Sequence, residues 1–440
     1  MTMKRWIGAT LAATLLATGA VLPAQQAARA PAPAPQPAAP ASPLPATQAL
    51  FDGYVRDGKM PGIVAAFAIG DRPTVFVAAG RIATDANAPA AGPDSLWRVY
   101  SMTKPITGMA AMLLIEDGKL SLDDPLAKYF PAFRSMRVLT SPDTSLVSRP
   151  ARGAITIRQL LTHTSGLGYQ ISAKGPLLKE YERLGLVPFT ANAQTEAVAR
   201  RTRPTTLAAF AERAAKVPLV ADPGTTWHYS MGLDVLAAVI EKASGMPFER
   251  FVRTRLLDPL KMTSTDWQVA PGNVARFASN YTFVEDALAP LDLAARSPFL
   301  QPPSFPYGGA GLVSSARDYD RFLHMLQDAG TLDGVRVMKP ETARLAMSNL
   351  LPPGVVFRNR DGLAQGYGAG GVVYVVDDPN GASKGSYGWA GAAGTLAVVD
   401  PARRFRSTIM VNYFPGERWP LAKETFAALF RDAARHGGRW

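Results

Sequence analysis

Ser101 and Lys104 stand three residues apart where a strand-like run, residues 96–100, gives way to a helix predicted over 105–116. Side chains three apart at a helix start share one face. The same helix start turns free N–H groups and the positive end of the dipole toward whatever the serine binds. A serine hydroxyl attacks a carbonyl only with a base within reach, and a lysine is a base only where its surroundings lower its pKa. The pair is therefore a candidate nucleophile with a neighbouring base, with an ordinary helix cap as the competing reading. Which applies depends on the elements that must surround it.

Two short apolar runs, 62–69 and 74–78, flank Gly70-Asp71-Arg72-Pro73 and predict a β-hairpin. Helix signals follow the Ser101 segment. Thr156 caps a helix that stops near Gly166, residues 207–216 and 232–242 are apolar at helical spacing, residues 247–256 make another helix, and Ser315 opens 319–326. Strand character returns at 371–376, 393–399 and 407–413, before a last helix at 422–434. No internal repeat is visible. The pattern predicts an α/β (α+β) fold: an antiparallel sheet built from both chain ends, flanked by helices, with an inserted, mostly helical lobe. The sheet lobe is assigned to 47–117 and 327–440 and the helical lobe to 118–326. Within the latter, residues 168–204 carry few periodic signals and read as a substrate-gating wall.

Composition narrows the options. The chain has 440 residues, 47% apolar and 19% charged, which is globular in character. The +12 net charge is scattered. Its densest basic spots, Arg200-Arg201-Thr202-Arg203 and Arg403-Arg404-Phe405-Arg406, are short and read as solvated faces, so no nucleic-acid partner is expected. There is no cysteine, which excludes disulfides, thiolate metal sites and lipid attachment at a cysteine. Lys4 and Arg5 precede the uncharged run 6–22, and small residues follow between Ala24 and Ala30. Residues 1–30 thus read as a secretory signal peptide, with a membrane anchor as the competing reading. Residues 31–46, nearly all Ala and Pro, read as a linker. The expectation is a periplasmic or secreted enzyme with no stable membrane span after processing; the oligomeric state is open.

Two further segments complete a pattern. Trp227-His228-Tyr229-Ser230-Met231 precedes a helix, and Gly388-Trp389-Ala390-Gly391-Ala392-Ala393-Gly394-Thr395 is read as opening a strand. With Ser101-x-x-Lys104, the Thr156 to Leu167 run, Pro223-Gly224 and Gly308 to Ser315, the chain after Ala46 resembles the serine β-lactamase and penicillin-binding-protein superfamily. It is most similar to the branch holding class C β-lactamases and family VIII carboxylesterases. The resemblance implies Ser101 as acyl-accepting nucleophile and Lys104 with Tyr229 as the base system. It also implies backbone N–H groups of Ser101 and Ala392 as the oxyanion hole, and Trp389, Ala390 and Gly391 as the wall against the substrate. Which of Lys104 and Tyr229 takes the first proton is a coupled question.

The chain departs from the superfamily pattern twice. Trp389-Ala390-Gly391 stands where β-lactamases carry K-T-G, and Met231 stands where they carry an amide. A tryptophan offers an apolar face and one N–H in place of a cation, which favours a neutral ester. The resemblance therefore implies a serine carboxylesterase acting on small-molecule esters without cofactor or metal. A β-lactamase or D-amino-acid peptidase, and an acyltransferase, are the alternatives; a non-catalytic binding protein fits poorly with intact Ser101, Lys104 and Tyr229.

Gly381-Ala382-Ser383-Lys384-Gly385 also matches G-x-S-x-G. A nucleophile elbow follows a strand, opens a helix and needs later Asp and His partners. Only His436 follows, so the motif reads as a surface turn. His163 and His228 sit inside the matching motifs; His228, next to Tyr229, reads as a packed polar residue, with contact to the site as the alternative, and His324 reads as structural.

Overall fold

Residues Gly62–Ile69 form one strand of an antiparallel sheet, and seven of the eight are buried. An unbroken apolar run is what a strand needs when both its faces are covered. Ile63, Ala65 and Phe67 pack to one side and Val64 to the other, the period-two alternation of a pleated strand. The computed structural model describes residues 42–188, 190–379 and 381–435. The expected signal peptide, most of the Ala/Pro-rich stretch and His436 lie outside the described residues.

The main sheet has eight strands. In spatial order they are Phe357–Arg358, Ala364–Tyr367, Val372–Tyr374, Tyr387–Ala390, Leu396–Asp400, Phe405–Met410, Gly62–Ile69 and Val75–Gly80. Every neighbouring pair is antiparallel, and the N-terminal hairpin joins the C-terminal strands through Gly62–Ile69 against Phe405–Met410. The sheet is thus assembled from both ends of the chain, as the sequence predicts.

Among the described residues, eleven α-helices complete the fold: α1 (Pro45–Arg56), α2 (Thr103–Glu116), α3 (Ile157–Leu161), α4 (Gly175–Arg183), α5 (Ala193–Ala199), α6 (Leu207–Ala214), α7 (Gly232–Ser244), α8 (Phe248–Val252), α9 (Ala316–Gln327), α10 (Pro340–Ala346) and α11 (Leu421–Arg435). Helices α1 and α11 cover one face of the sheet through Phe51, Tyr54, Leu421 and Leu429. Helices α2, α7 and α9 belong to the larger core on the other face. Helix α2 is buried from Thr103 through Leu114, which suits its apolar sequence on every side.

Some details correct the sequence reading. Helix α1 begins at Pro45, inside the stretch read as a linker to residue 46. Residues 168–204 are not devoid of regular structure: they hold α4 and α5, the latter opened by a capping box of Asn192 and Thr195. The mainly helical middle also carries two hairpins, Arg137–Leu139 with Ser148–Pro150 and Asn280–Val284 with Ala287–Asp292. Residues 388–395 do not open a strand. Tyr387–Ala390 is a strand in itself, Gly391 to Thr395 turn, and Leu396–Asp400 is the next strand. Among the described residues, no helix is long and apolar enough to cross a membrane.

Candidate active site

Ser101 sits in a single 3-10 turn, Tyr100–Met102, that leads directly into α2. The turn is held from several sides. Asn412 brackets the backbone of Arg98, accepting from its N–H at 3.1 Å and donating to its carbonyl at 3.0 Å. The Arg98 guanidinium is itself fully buried against Asp292, 2.6 Å away. Tyr100 has φ +42°, a left-handed conformation a bulky residue rarely adopts, and its hydroxyl accepts from Asn280 at 3.1 Å. Strain immediately before Ser101 is over-determined by these contacts.

Three residues separated in sequence meet here. Tyr229 Oη donates to Ser101 Oγ at 2.5 Å, and Lys104 Nζ donates to the same oxygen at 3.2 Å. Lys104 is fully buried, its ammonium 4.5 Å from the centre of the Tyr229 ring and 5.5 Å from that of Tyr169. Trp389, half-buried on the end of its strand, points its indole N–H at Tyr229 Oη, 3.4 Å away. A hydroxyl within reach of a phenolic oxygen and a lysine nitrogen can pass its proton to that pair as it attacks a carbonyl carbon when one of the two is unprotonated.

Of the expected oxyanion and wall residues besides Ser101, Trp389 and Ala390 end their strand and Gly391 and Ala392 begin the turn that follows it. Ala390 and Ala392 are exposed, and Gly391 is buried. A Cβ on Gly391 would come within 2.1 Å of Thr395 Oγ1 and 2.5 Å of the Val99 carbonyl oxygen. The glycine therefore lets this turn close onto the chain two residues before Ser101.

Sequence reasoning missed two members of the site. Asp234, in the first turn of α7, is completely buried. It accepts from the Gly309 N–H at 2.9 Å, while the Gly309 carbonyl accepts from Lys104 Nζ at 2.7 Å. Burial pushes the Asp234 carboxyl up to about 6, against the opposing pull of Lys104 and of the Gly309 and Gly308 N–H groups. A Cβ on Gly309 would lie 2.7 Å from Asp234 Oδ2, so only glycine passes between α2 and α7. The signal in the sequence was an acidic residue in an otherwise apolar helix.

His163 is the second. It has φ +57° and is fully buried. Its carbonyl accepts from the His228 N–H at 2.9 Å, and its Nδ1 lies 2.9 Å from Ser230 Oγ and accepts from the Ser230 N–H at 3.2 Å. One residue thus grips the chain on both sides of Tyr229, and its ring packs 4.7 Å from the Tyr229 ring. Burial, with the Lys104 charge nearby, holds its pKa well below the ordinary histidine value.

His228 is exposed rather than packed. It shares with Tyr229, Tyr169, Ser172, Leu177 and Val220 the wall of a pocket of about 310 Å³ beside the catalytic candidates. Helix α4 supplies Leu177, so part of segment 168–204 does border the site. His324 is half-buried on α9, 3.3 Å from Asp328. These two and Asp71 form an acidic cluster, but the Arg404 guanidinium already lies 2.6 Å from Asp71 and 3.0 Å from Asp328 and supplies the positive charge.

The fold is a β-lactamase/transpeptidase scaffold, and on it Ser101, Lys104 and Tyr229 come together. The family model described as Beta-lactamase matches residues 47–429, and the chain belongs to that family. The chain is 36% identical over 332 residues to Protein Rv1367c of Mycobacterium tuberculosis, covering 73% of this chain and 78% of that protein. It is 31% identical over 395 residues to Esterase EstB of Burkholderia gladioli, covering 85% and 91%. Among solved structures, EstCE1, described as a hydrolase with promiscuous acyltransferase activity, superposes with a TM-score of 0.71 at 24% identity, covering 88% of this chain and 97% of that one. The last likeness shows the fold.

Proposed function

We propose that the chain is a serine esterase that cleaves carboxylic esters through an acyl-Ser101 intermediate. The observation that carries this reading is the double hold on Ser101 Oγ by Tyr229 Oη at 2.5 Å and Lys104 Nζ at 3.2 Å. As Ser101 Oγ bonds to the ester carbonyl carbon, its proton passes to the Lys104–Tyr229 pair. The negative charge on the carbonyl oxygen is met by the N–H groups of Ser101 and Ala392. Collapse breaks the bond to the alkoxide, which leaves with a proton from Tyr229. Water, deprotonated by the same pair, then releases the acid and restores Ser101.

Trp389 argues for a neutral ester over an anionic β-lactam, since it presents an indole where a carboxylate would need a cation. The esterase relative at 31% identity supports the same class. Acyl transfer to an alcohol is the second reading, favoured by the 310 Å³ pocket beside Tyr229, which could seat an acceptor other than water. The leader-like N-terminus argues that the enzyme works in the periplasm or outside the cell.

A fluorophosphonate probe should add one label per chain at Ser101, and Ser101→Ala should abolish both labelling and ester turnover with the fold intact. Labelling that persists in Ser101→Ala and disappears in Ser383→Ala would overturn the assignment.

A further inference from the structure

The basic spot at 200–203 is not solvated throughout. The Arg203 side chain is fully buried, and its planar guanidinium joins segment 168–204 to a stretch outside it. Nε donates to the Val187 carbonyl at 2.7 Å. Nη1 donates to both carboxylate oxygens of Glu196 on α5, at 2.8 and 2.9 Å, and to Tyr307 Oη at 2.8 Å. Glu196 accepts as well from Thr190 Oγ1 at 2.7 Å and from Arg200 Nε at 2.6 Å.

Tyr307 opens a run of three carbonyls that reaches the acyl centre. Its own accepts from Trp267 Nε1 at 2.8 Å, that of Gly308 from Thr107 Oγ1 at 2.7 Å, and that of Gly309 from Lys104 Nζ at 2.7 Å. Thr107 and Lys104 both stand on α2. The two glycines pass so close to α7 that a Cβ on Gly308 would lie 2.2 Å from the Leu233 carbonyl oxygen. Having no side chains, they cannot anchor themselves. Tyr307 is the side chain that places them from one end, and its hydroxyl is fastened to Arg203 and Ser304. Hydrogen bonds from an ionised donor are the stronger kind, so the arginine dominates that hold.

We propose that Arg203 is a positioning residue for Lys104: through Tyr307 it sets where the Gly309 carbonyl meets the lysine, and it makes segment 168–204 part of that frame. The proposal rests on Lys104 serving as base to Ser101. The test follows the rate of Ser101 labelling by a fluorophosphonate across pH in the full-length protein. Tyr307→Phe removes the hydroxyl and keeps the ring. Arg203→Lys keeps a charge for Glu196 and leaves Ser304 in place, but cannot span three acceptors. In each, the plateau rate should fall at least about threefold, the cost of a misplaced base. The midpoint of the rise with pH should move to lower pH, because a displaced carbonyl holds the protonated lysine less well. Asp234, His163, Tyr169 and Tyr229, the titratable groups around Lys104, are unchanged in both variants. The double variant should be no worse than the more damaged single one. A purely structural role would lower the melting temperature, or scale the whole profile by one factor, with the midpoint unmoved. That result, an unchanged profile, or losses that multiply would overturn the proposal. Should Arg203→Lys misfold, Tyr307→Phe decides. A parent that labels but turns over no ester would overturn the esterase reading and leave this test standing; a parent that does not label would remove both.

Discussion

Lys104 and Asp234 share the backbone of Gly309, whose carbonyl accepts from the lysine ammonium at 2.7 Å while its N–H donates to the carboxylate at 2.9 Å. Both side chains are fully buried. A carboxyl in that position makes the site's charge depend on pH without touching the substrate. Because the folded pKa is raised to about 6, the folded state holds a proton that the unfolded chain has lost between pH 4 and 6. Burying Asp234 therefore costs nothing below the unfolded pKa and destabilises progressively as pH rises to about 6. We expect the stability of Asp234→Asn, relative to the parent, to rise by roughly 2–3 kcal/mol between pH 4 and 7, as measured by denaturant unfolding. The variant should also lose at least about tenfold in kcat with little change in KM, since the residue positions Lys104 rather than substrate.

His163 has the opposite sign. Its folded pKa lies well below the unfolded value near 6.5, so its neutral burial is without cost above that pH and destabilises as pH falls below it. Replacing His163 with Asn, which tolerates the left-handed backbone, should flatten this acid limb. It should also slow turnover by loosening the grip on Tyr229, yet leave phosphonate labelling of Ser101 in place. Complete loss of labelling would make His163 part of the nucleophile's own machinery.

Lys104→Ala and Tyr229→Phe should each reduce kcat by orders of magnitude. The double variant should be scarcely worse than either single one, because both groups serve one proton path to Ser101 Oγ. Multiplying effects in steady-state kinetics would separate their roles.

Trp389→Lys tests the proposed preference for an ester. A charge-assisted hydrogen bond to a substrate carboxylate is worth roughly 1.5–3 kcal/mol, about one to two decades in affinity. The variant should narrow the gap in kcat/KM between a short-chain ester and a cephalosporin, mainly by weakening the ester and strengthening the anion. A parent enzyme that hydrolyses the cephalosporin faster than every simple ester would contradict the substrate class.

Gly391→Ala places a Cβ where the Val99 carbonyl and Thr395 already lie, 2.5 and 2.1 Å away. We expect a lower melting temperature and a turnover loss of at least about tenfold, as the turn carrying Ala392 withdraws from Ser101. A fully active, equally stable variant would show that this turn does not set the oxyanion geometry.

The sequence by itself determined the local elements and the chemical cast. Helical spacing marked α6 and α7, a serine cap marked α9, the apolar run at Gly62–Ile69 marked a strand, and S-x-x-K with Tyr229 and Trp389 marked the candidate site residues. These are signals of short range, written in neighbouring residues. Tertiary structure alone decided the contacts whose partners lie far apart. Helix α1 escaped notice because its cap comes from the other end of the chain: Asp432 on α11 accepts from the N–H groups of Ala46 and Thr47 at 2.7 and 2.9 Å. Helix α4 is only nine residues long, and α5 only seven; α4 is fixed by burial of Leu177 and Tyr181 rather than by propensity. Asp234 and His163 act through backbone groups of Gly309, His228 and Ser230, and a backbone amide leaves no mark in the sequence that names its partner.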